Sequence, residues 1–243
     1  MVEFYSEIII RIAVFFYALW IGGLATTVFN RVPNEIPIGP THKPCCNNCK
    51  KEIKFRYFFP ILGYFFSGGK CVNCGMKIPK VYLHIELSIL FYILILSTSF
   101  DSFDERFISK SLYGAFIITL MFIYQAHKQI KIRLVWMLVA FILLYRGYNY
   151  SLPKVIDLFI GTIASYATFS ILRRHIQIKS PEFEMCVILT ASLNYMVCFV
   201  FLSLAIFFKI IYSIPNFEKY KTIRSVNVVF IPLITALVMS LFF

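Results

Sequence analysis

Charge is scarce in this chain. Asp, Glu, Lys and Arg make up 15% of its 243 residues, and aspartate occurs only at 101, 104 and 157. With 59% apolar residues, 27 phenylalanines and a mean hydropathy of +0.76, this composition excludes a water-soluble globular domain. Seven cysteines, unevenly placed, are too few for a secreted disulfide framework. No Ser/His/Asp set, phosphate-cradling glycine loop, internal repeat or low-complexity stretch is readable. The formal charge of +12 would suggest nucleic acid in a soluble protein. Here the basic residues lie between long apolar runs and act as membrane-topology signals, so no nucleic-acid partner is expected.

The apolar runs fall at residues 12–29, 81–100, 111–126, 134–145, 155–172, 185–208 and 225–243. A crossing helix needs about 20 apolar residues. The run at 134–145 is short on that scale and depends on neighbouring helices, or on Arg133 and Arg146 reaching the interfaces. The first run is expected to remain as a helix: Glu3 and Glu7 precede it in place of a basic n-region, and no small-residue cleavage site follows. The fold expected is all-α, a polytopic membrane helix bundle of seven or eight segments, with the lipid bilayer as its first partner.

Nine Lys/Arg lie between Arg31 and Lys80, against Glu35 and Glu52. The positive-inside rule puts this loop in the cytoplasm and the N-terminus outside. Asp101, Asp104 and Glu105 then lie outside, Lys128, Lys131 and Arg133 inside, and Arg173, Arg174 and Lys179 inside again. Lys209, Lys219, Lys221 and Arg224 should also be inside, which requires 185–211 to cross twice or to bend back near Asn194. The domains expected are a first transmembrane helix at 1–29, a cytoplasmic zinc-binding domain at 30–80 and a multi-span membrane domain at 81–243.

Cys46-Asn47-Asn48-Cys49 and Cys71-Val72-Asn73-Cys74 are two Cys-x-x-Cys knuckles separated by 21 residues. Each directs two thiolates at one tetrahedral ion, so Cys46, Cys49, Cys71 and Cys74 are expected to hold a structural zinc with no open position for substrate. A loop this small and basic buries too little apolar surface to fold alone, and metal binding would supply on the order of 10 kcal/mol. Cys45 is a possible substitute for Cys46, but the paired spacing favours Cys46. Cys186 and Cys198 read as small hydrophobes in an apolar helix.

With those residues in place, the chain resembles the bacterial prepilin leader peptidases, bifunctional membrane aspartic proteases of the type IV pilus and type II secretion class. Gly22-Gly23, Phe29-Asn30-Arg31-Val32-Pro33, the first knuckle, Phe59-Pro60-Ile61-Leu62-Gly63-Tyr64, Gly68-Gly69-Lys70 with the second knuckle, and Ile78-Pro79-Lys80-Val81-Tyr82 followed by Ile85-Glu86-Leu87 keep the order of that family's zinc domain and second helix. Residues 161–166 and Phe230-Ile231-Pro232 resemble its later helices. The resemblance implies location in the bacterial inner membrane, prepilin-like signal helices or pilus and secretion components as partners, and, in many members, N-methylation with S-adenosylmethionine.

It also implies two catalytic aspartates, and neither is present. The first position falls on Gln125, with Ile132 where a proline belongs; the second falls on Glu182, where both preceding glycines are replaced. Aspartic peptide hydrolysis needs two carboxyl groups sharing one proton about a water. Glutamine cannot titrate, and the extra methylene of Glu182 displaces its oxygens. The expectation is a degenerate peptidase centre. The alternatives are an active peptidase using Glu182 and an unidentified acid, or a non-enzymatic membrane scaffold with a zinc module. Ser180-Pro181-Glu182 otherwise reads as a helix start. Glu86, one turn inside the second span, reads as an ion-pair partner of Arg31, Lys80 or His84, or as a latch on the zinc domain.

Overall fold

The computed structural model describes residues 2–38, 43–100, 103–127 and 130–147, together with 160, 163, 166, 167 and 170. Among these residues six helices are delimited in chain order: α1 (Val2–Arg31), α2 (Phe55–Phe58), α3 (Leu62–Phe66), α4 (Lys80–Ser97), α5 (Glu105–His127) and α6 (Ile132–Gly147). Two isolated bridges, Cys45 with Glu52 and Lys70 with Lys77, are the extended pairings among the described residues. The chain divides into two units, Met1–Ile123 and Tyr124–Phe243.

Among the described residues three helices are long and apolar enough to cross a membrane: Glu7–Arg31, Lys80–Ser97 and Glu105–His127. The first helix extends well beyond the apolar run at 12–29, because Arg11 pairs with Glu7 one turn earlier at 2.6 Å and the charges do not interrupt the helix. Asp104 starts α5 by accepting the Phe107 N–H on its side chain at 2.7 Å. The run at 134–145 forms α6, whose 16 residues fall short of a full crossing. Of the run at 155–172, residues 160, 163, 166, 167 and 170 are helical. The runs at 185–208 and 225–243 lie outside the described residues. Among the described residues, three of the seven or eight segments expected are thus helices of span length.

In the first unit α1 and α4 pack antiparallel. Phe29 meets Tyr82 edge to face at 5.8 Å, and one to two turns further in Gly22 backs onto Glu86. The inner stripe of α4 is Ile85, Ile89, Ile93 and Leu96, all fully buried at helical spacing. At the far end the Tyr17 hydroxyl lies 2.7 Å from Ser111 Oγ, and the Tyr17 ring packs on Phe103 at 5.4 Å. Helices α4 and α5 approach closely because Gly114 leaves room for the Tyr92 ring, whose hydroxyl donates to the Lys110 carbonyl at 3.1 Å. Outside this core α1 exposes Ile9, Ile12, Phe16 and Trp20, and α4 exposes Phe91 and Ile95. Large apolar faces of that kind suit contact with lipid.

Candidate metal centre

Two hairpin turns build the centre, and they are copies of each other. In the first, Cys46 N donates to Lys51 O (3.0 Å), Lys50 N to Cys46 O (3.0 Å) and Ile53 N to Pro44 O (2.9 Å). In the second, Cys71 N donates to Met76 O, Gly75 N to Cys71 O and Ile78 N to Gly69 O, each at 2.8 Å. All three bonds, and the two isolated bridges, are related by the same offset along the chain, which carries Cys46 onto Cys71. No internal repeat is readable in the sequence, and the structure corrects this: residues 44–53 and 69–78 are one knuckle built twice. Only Cys46/Cys71, Asn48/Asn73, Cys49/Cys74 and Ile53/Ile78 are identical across it, too few to stand out in sequence. Each turn closes through a left-handed residue, Lys50 at φ 56° and Gly75 at φ 70°.

The offset brings four sulfurs together. The Sγ atoms of Cys46, Cys49, Cys71 and Cys74 all lie within 4.8 Å of one another, and Cys46 and Cys74 are 3.9 Å apart. A tetrahedral ion with metal–sulfur bonds of about 2.3 Å separates its thiolates by about 3.8 Å. The donor set and its spacing therefore fit zinc. Cys45 is exposed and stands outside the cluster. Cys186 and Cys198 lie outside the described residues.

Backbone amides tune the sulfurs unequally. The Met76 N–H lowers the Cys74 thiol to about 6, assisted by the Asn48 amide at 3.7 Å from its sulfur and opposed by desolvation. The Cys49 N–H lowers Cys46. Cys49 moves to about 11: the Lys51 N–H lowers it, but desolvation and the sulfurs of Cys74, Cys46 and Cys71 together outweigh that bond. Four thiolates at this spacing repel one another, so the metal-free cluster retains protons that a divalent cation would displace.

Three contacts fix the module on the helices. Asn30 at the end of α1 and Asn47 in the first knuckle exchange amide hydrogen bonds at 3.2 and 3.5 Å, and Asn47 also bonds the side chain of Tyr82 at the start of α4. Between the knuckles the chain descends through α2 to Pro60, whose ring fits against Gly23 of α1; a Cβ at Gly23 would stand 3.0 Å from Pro60 Cγ. The next residue, Ile61, holds φ 61° and donates its N–H to Glu86 Oε2 at 2.7 Å. Glu86 is thus a latch on the module, and the group it holds is a backbone amide. Composition and spacing pointed to none of Gly23, Asn30, Asn47 or Ile61 as docking residues.

Of the two positions where the resemblance implies catalytic aspartates, Gln125 is exposed in the last turn of α5. Glu182 lies outside the described residues. Residues 16–100 match the bacterial peptidase A24 N-terminal domain. No curated protein and no solved structure matches the chain.

Proposed function

We propose that this chain, whose match over residues 16–100 supports membership of the prepilin peptidase family, is a prepilin peptidase-like membrane protein with a zinc module and a degenerate peptidase centre. The observation that carries the proposal is the doubled knuckle: four sulfurs at metal-binding separation, docked by Glu86 and Asn47 onto two helices of span length. Zinc on Cys46, Cys49, Cys71 and Cys74 acts as a structural clamp. It joins both ends of the 54–66 segment, so the turn bearing Pro60 stays seated against Gly23. Four thiolates complete a tetrahedral shell, which leaves no position for a substrate.

The peptidase centre is read from the resemblance. Gln125 sits at the end of α5, where the family's first aspartate is expected; it can donate and accept hydrogen bonds but cannot exchange a proton with Glu182. No residue supports assigning N-methylation. The protein lies in the bacterial inner membrane, N-terminus outside and zinc module in the cytoplasm, where it can hold a pilin-type signal helix without cutting it.

Incubation of the full-length protein with a prepilin-like substrate in membranes tests this. No cleavage is expected, and Glu182→Gln should change nothing. Cleavage by the native chain that Glu182→Gln abolishes would establish an active peptidase with a second acid. Gln125→Asp with Glu182→Asp should restore at most a trace, since the proline and glycines that shape the family's backbone at these positions are also missing.

A further inference from the structure

The segment between the knuckles carries a feature that metal binding does not account for. Phe58, Leu62, Phe65 and Phe66 are 43%, 45%, 66% and 54% exposed, a dense apolar surface on a module otherwise rich in lysine. We infer that residues 55–66 form an interfacial segment lying in the boundary between headgroups and acyl chains, with these four side chains against lipid. The inference rests on the reading that α1 and α4 cross the membrane.

Depth is the first argument. Pro60 packs on Gly23, eight residues before the end of α1 at Arg31, and Ile61 bonds Glu86, six residues into α4 from Lys80. At a rise of about 1.5 Å per residue the turn sits about 9 to 12 Å inside the helix ends. Interfacial segments bury their apolar faces about 5–10 Å into the headgroup and acyl boundary.

Hydrogen-bond satisfaction is the second. Irregular backbone survives at membrane depth only where its polar groups are paired. From 61 to 65 and from 67 to 69 every N–H donates, to Glu86 in the case of Ile61 and to a carbonyl of the segment itself in the others. Pro60 has no N–H to satisfy.

Charge is the third. Between Glu52 and Glu86 there are five Lys/Arg and no Asp or Glu. Lys54 and Arg56 precede the apolar turn and Lys70 follows it, and the Arg56 guanidinium lies 5.4 Å over the Phe66 ring. Basic side chains that flank aromatic ones complement an anionic headgroup layer.

Single-tryptophan variants of the full-length, zinc-bound protein in phosphatidylcholine–phosphatidylglycerol vesicles test this. Trp136→Phe leaves Trp20, on the exposed face of α1, as the reporter of spanning. Phe65→Trp and Phe66→Trp, each in a Trp20→Phe/Trp136→Phe background, report on the segment, and Val72→Trp in the second knuckle reports on the aqueous side. The Phe65→Trp and Phe66→Trp reporters should lose fluorescence to acyl chains brominated near the headgroup, and less to chains brominated near their ends. The Val72→Trp reporter should lose fluorescence to iodide alone. Retained zinc content shows that each variant is folded, and two segment positions guard against failure of one. Iodide quenching at both positions without lipid quenching overturns the inference. So does shielding from both quenchers, which would mean that protein covers the surface, either the rest of the chain or a second copy. If Trp20 is not quenched by lipid, the spanning reading itself fails and the inference falls with it.

Discussion

Glu86 Oε2 accepts the backbone N–H of Ile61 at 2.7 Å, joining a helix of span length to the loop that separates the two cysteine knuckles. Ile61 is β-branched and sits at φ 61°, a conformation such residues rarely adopt. The bond both pairs a part-buried amide and holds the strained residue.

Removing that acceptor should loosen the module. Glu86→Ala leaves the Ile61 N–H unpaired and should cost about 2 kcal/mol, whereas Glu86→Gln keeps a carbonyl oxygen and should cost less. The rate of zinc release to a chelator, compared between the two variants, reads this. Equal rates in Glu86→Ala and the native chain would show that the latch carries no stability.

The metal site makes a prediction about composition and another about pH. Cys46→Ser and Cys71→Ser should each lose the zinc, and Cys45→Ser should keep it, by metal analysis of purified protein. In metal-free protein Cys74 should alkylate first, with a midpoint near pH 6, and Cys49 last, near pH 11. Because folding lowers the Cys74 thiol from 9.0, its thiolate favours the folded cluster above that value. The contribution is lost as pH falls through about 6. Mass spectrometry of alkylated peptides across pH checks the order; Cys49 reacting before Cys74 would contradict it.

The doubled knuckle predicts an asymmetry between equivalent positions. Gly75 adopts φ 70° without cost, while Lys50 holds φ 56° with a side chain. Gly75→Val should weaken zinc retention by about 1–2 kcal/mol, and Lys50→Gly should be neutral or stabilising. Metal competition titrations of the two variants give the comparison.

How much was legible follows from the kind of interaction. The cysteine knuckles were readable because ligand chemistry demands a rare residue at a fixed spacing. The order of short motifs from Gly22 to Glu86 was readable through the resemblance to a known family, not through ligand chemistry. Glu86 was readable as a latch but its partner was not: sequence offered Arg31, Lys80 and His84, and the group that binds it is an amide that nearly every residue carries. The knuckle repeat was hidden because its bonds are made by backbone, which leaves side chains free to differ, as Lys50 and Gly75 do. Asn47 and Asn30 are common polar residues whose pairing depends on where the first knuckle lands on α1. Helix α1 ran past its apolar stretch because Glu7 and Arg11 neutralise each other on one face, a pairing that a hydropathy boundary ignores.

The orientation of the module remains the most direct test of the membrane reading. Helix α4 runs from Lys80 to Ser97 with a mean hydropathy of 1.6, and the chain on its N-terminal side carries the Lys/Arg excess, while Asp101, Asp104 and Glu105 follow its C-terminal end. If α4 crosses, these two ends lie on opposite faces, and the positive-inside rule puts the knuckles in the cytoplasm. Reporter fusions at Lys51 and Ser102 should accordingly give opposite topology signals, cytoplasmic at Lys51. The same signal at both sites would mean that α4 does not cross.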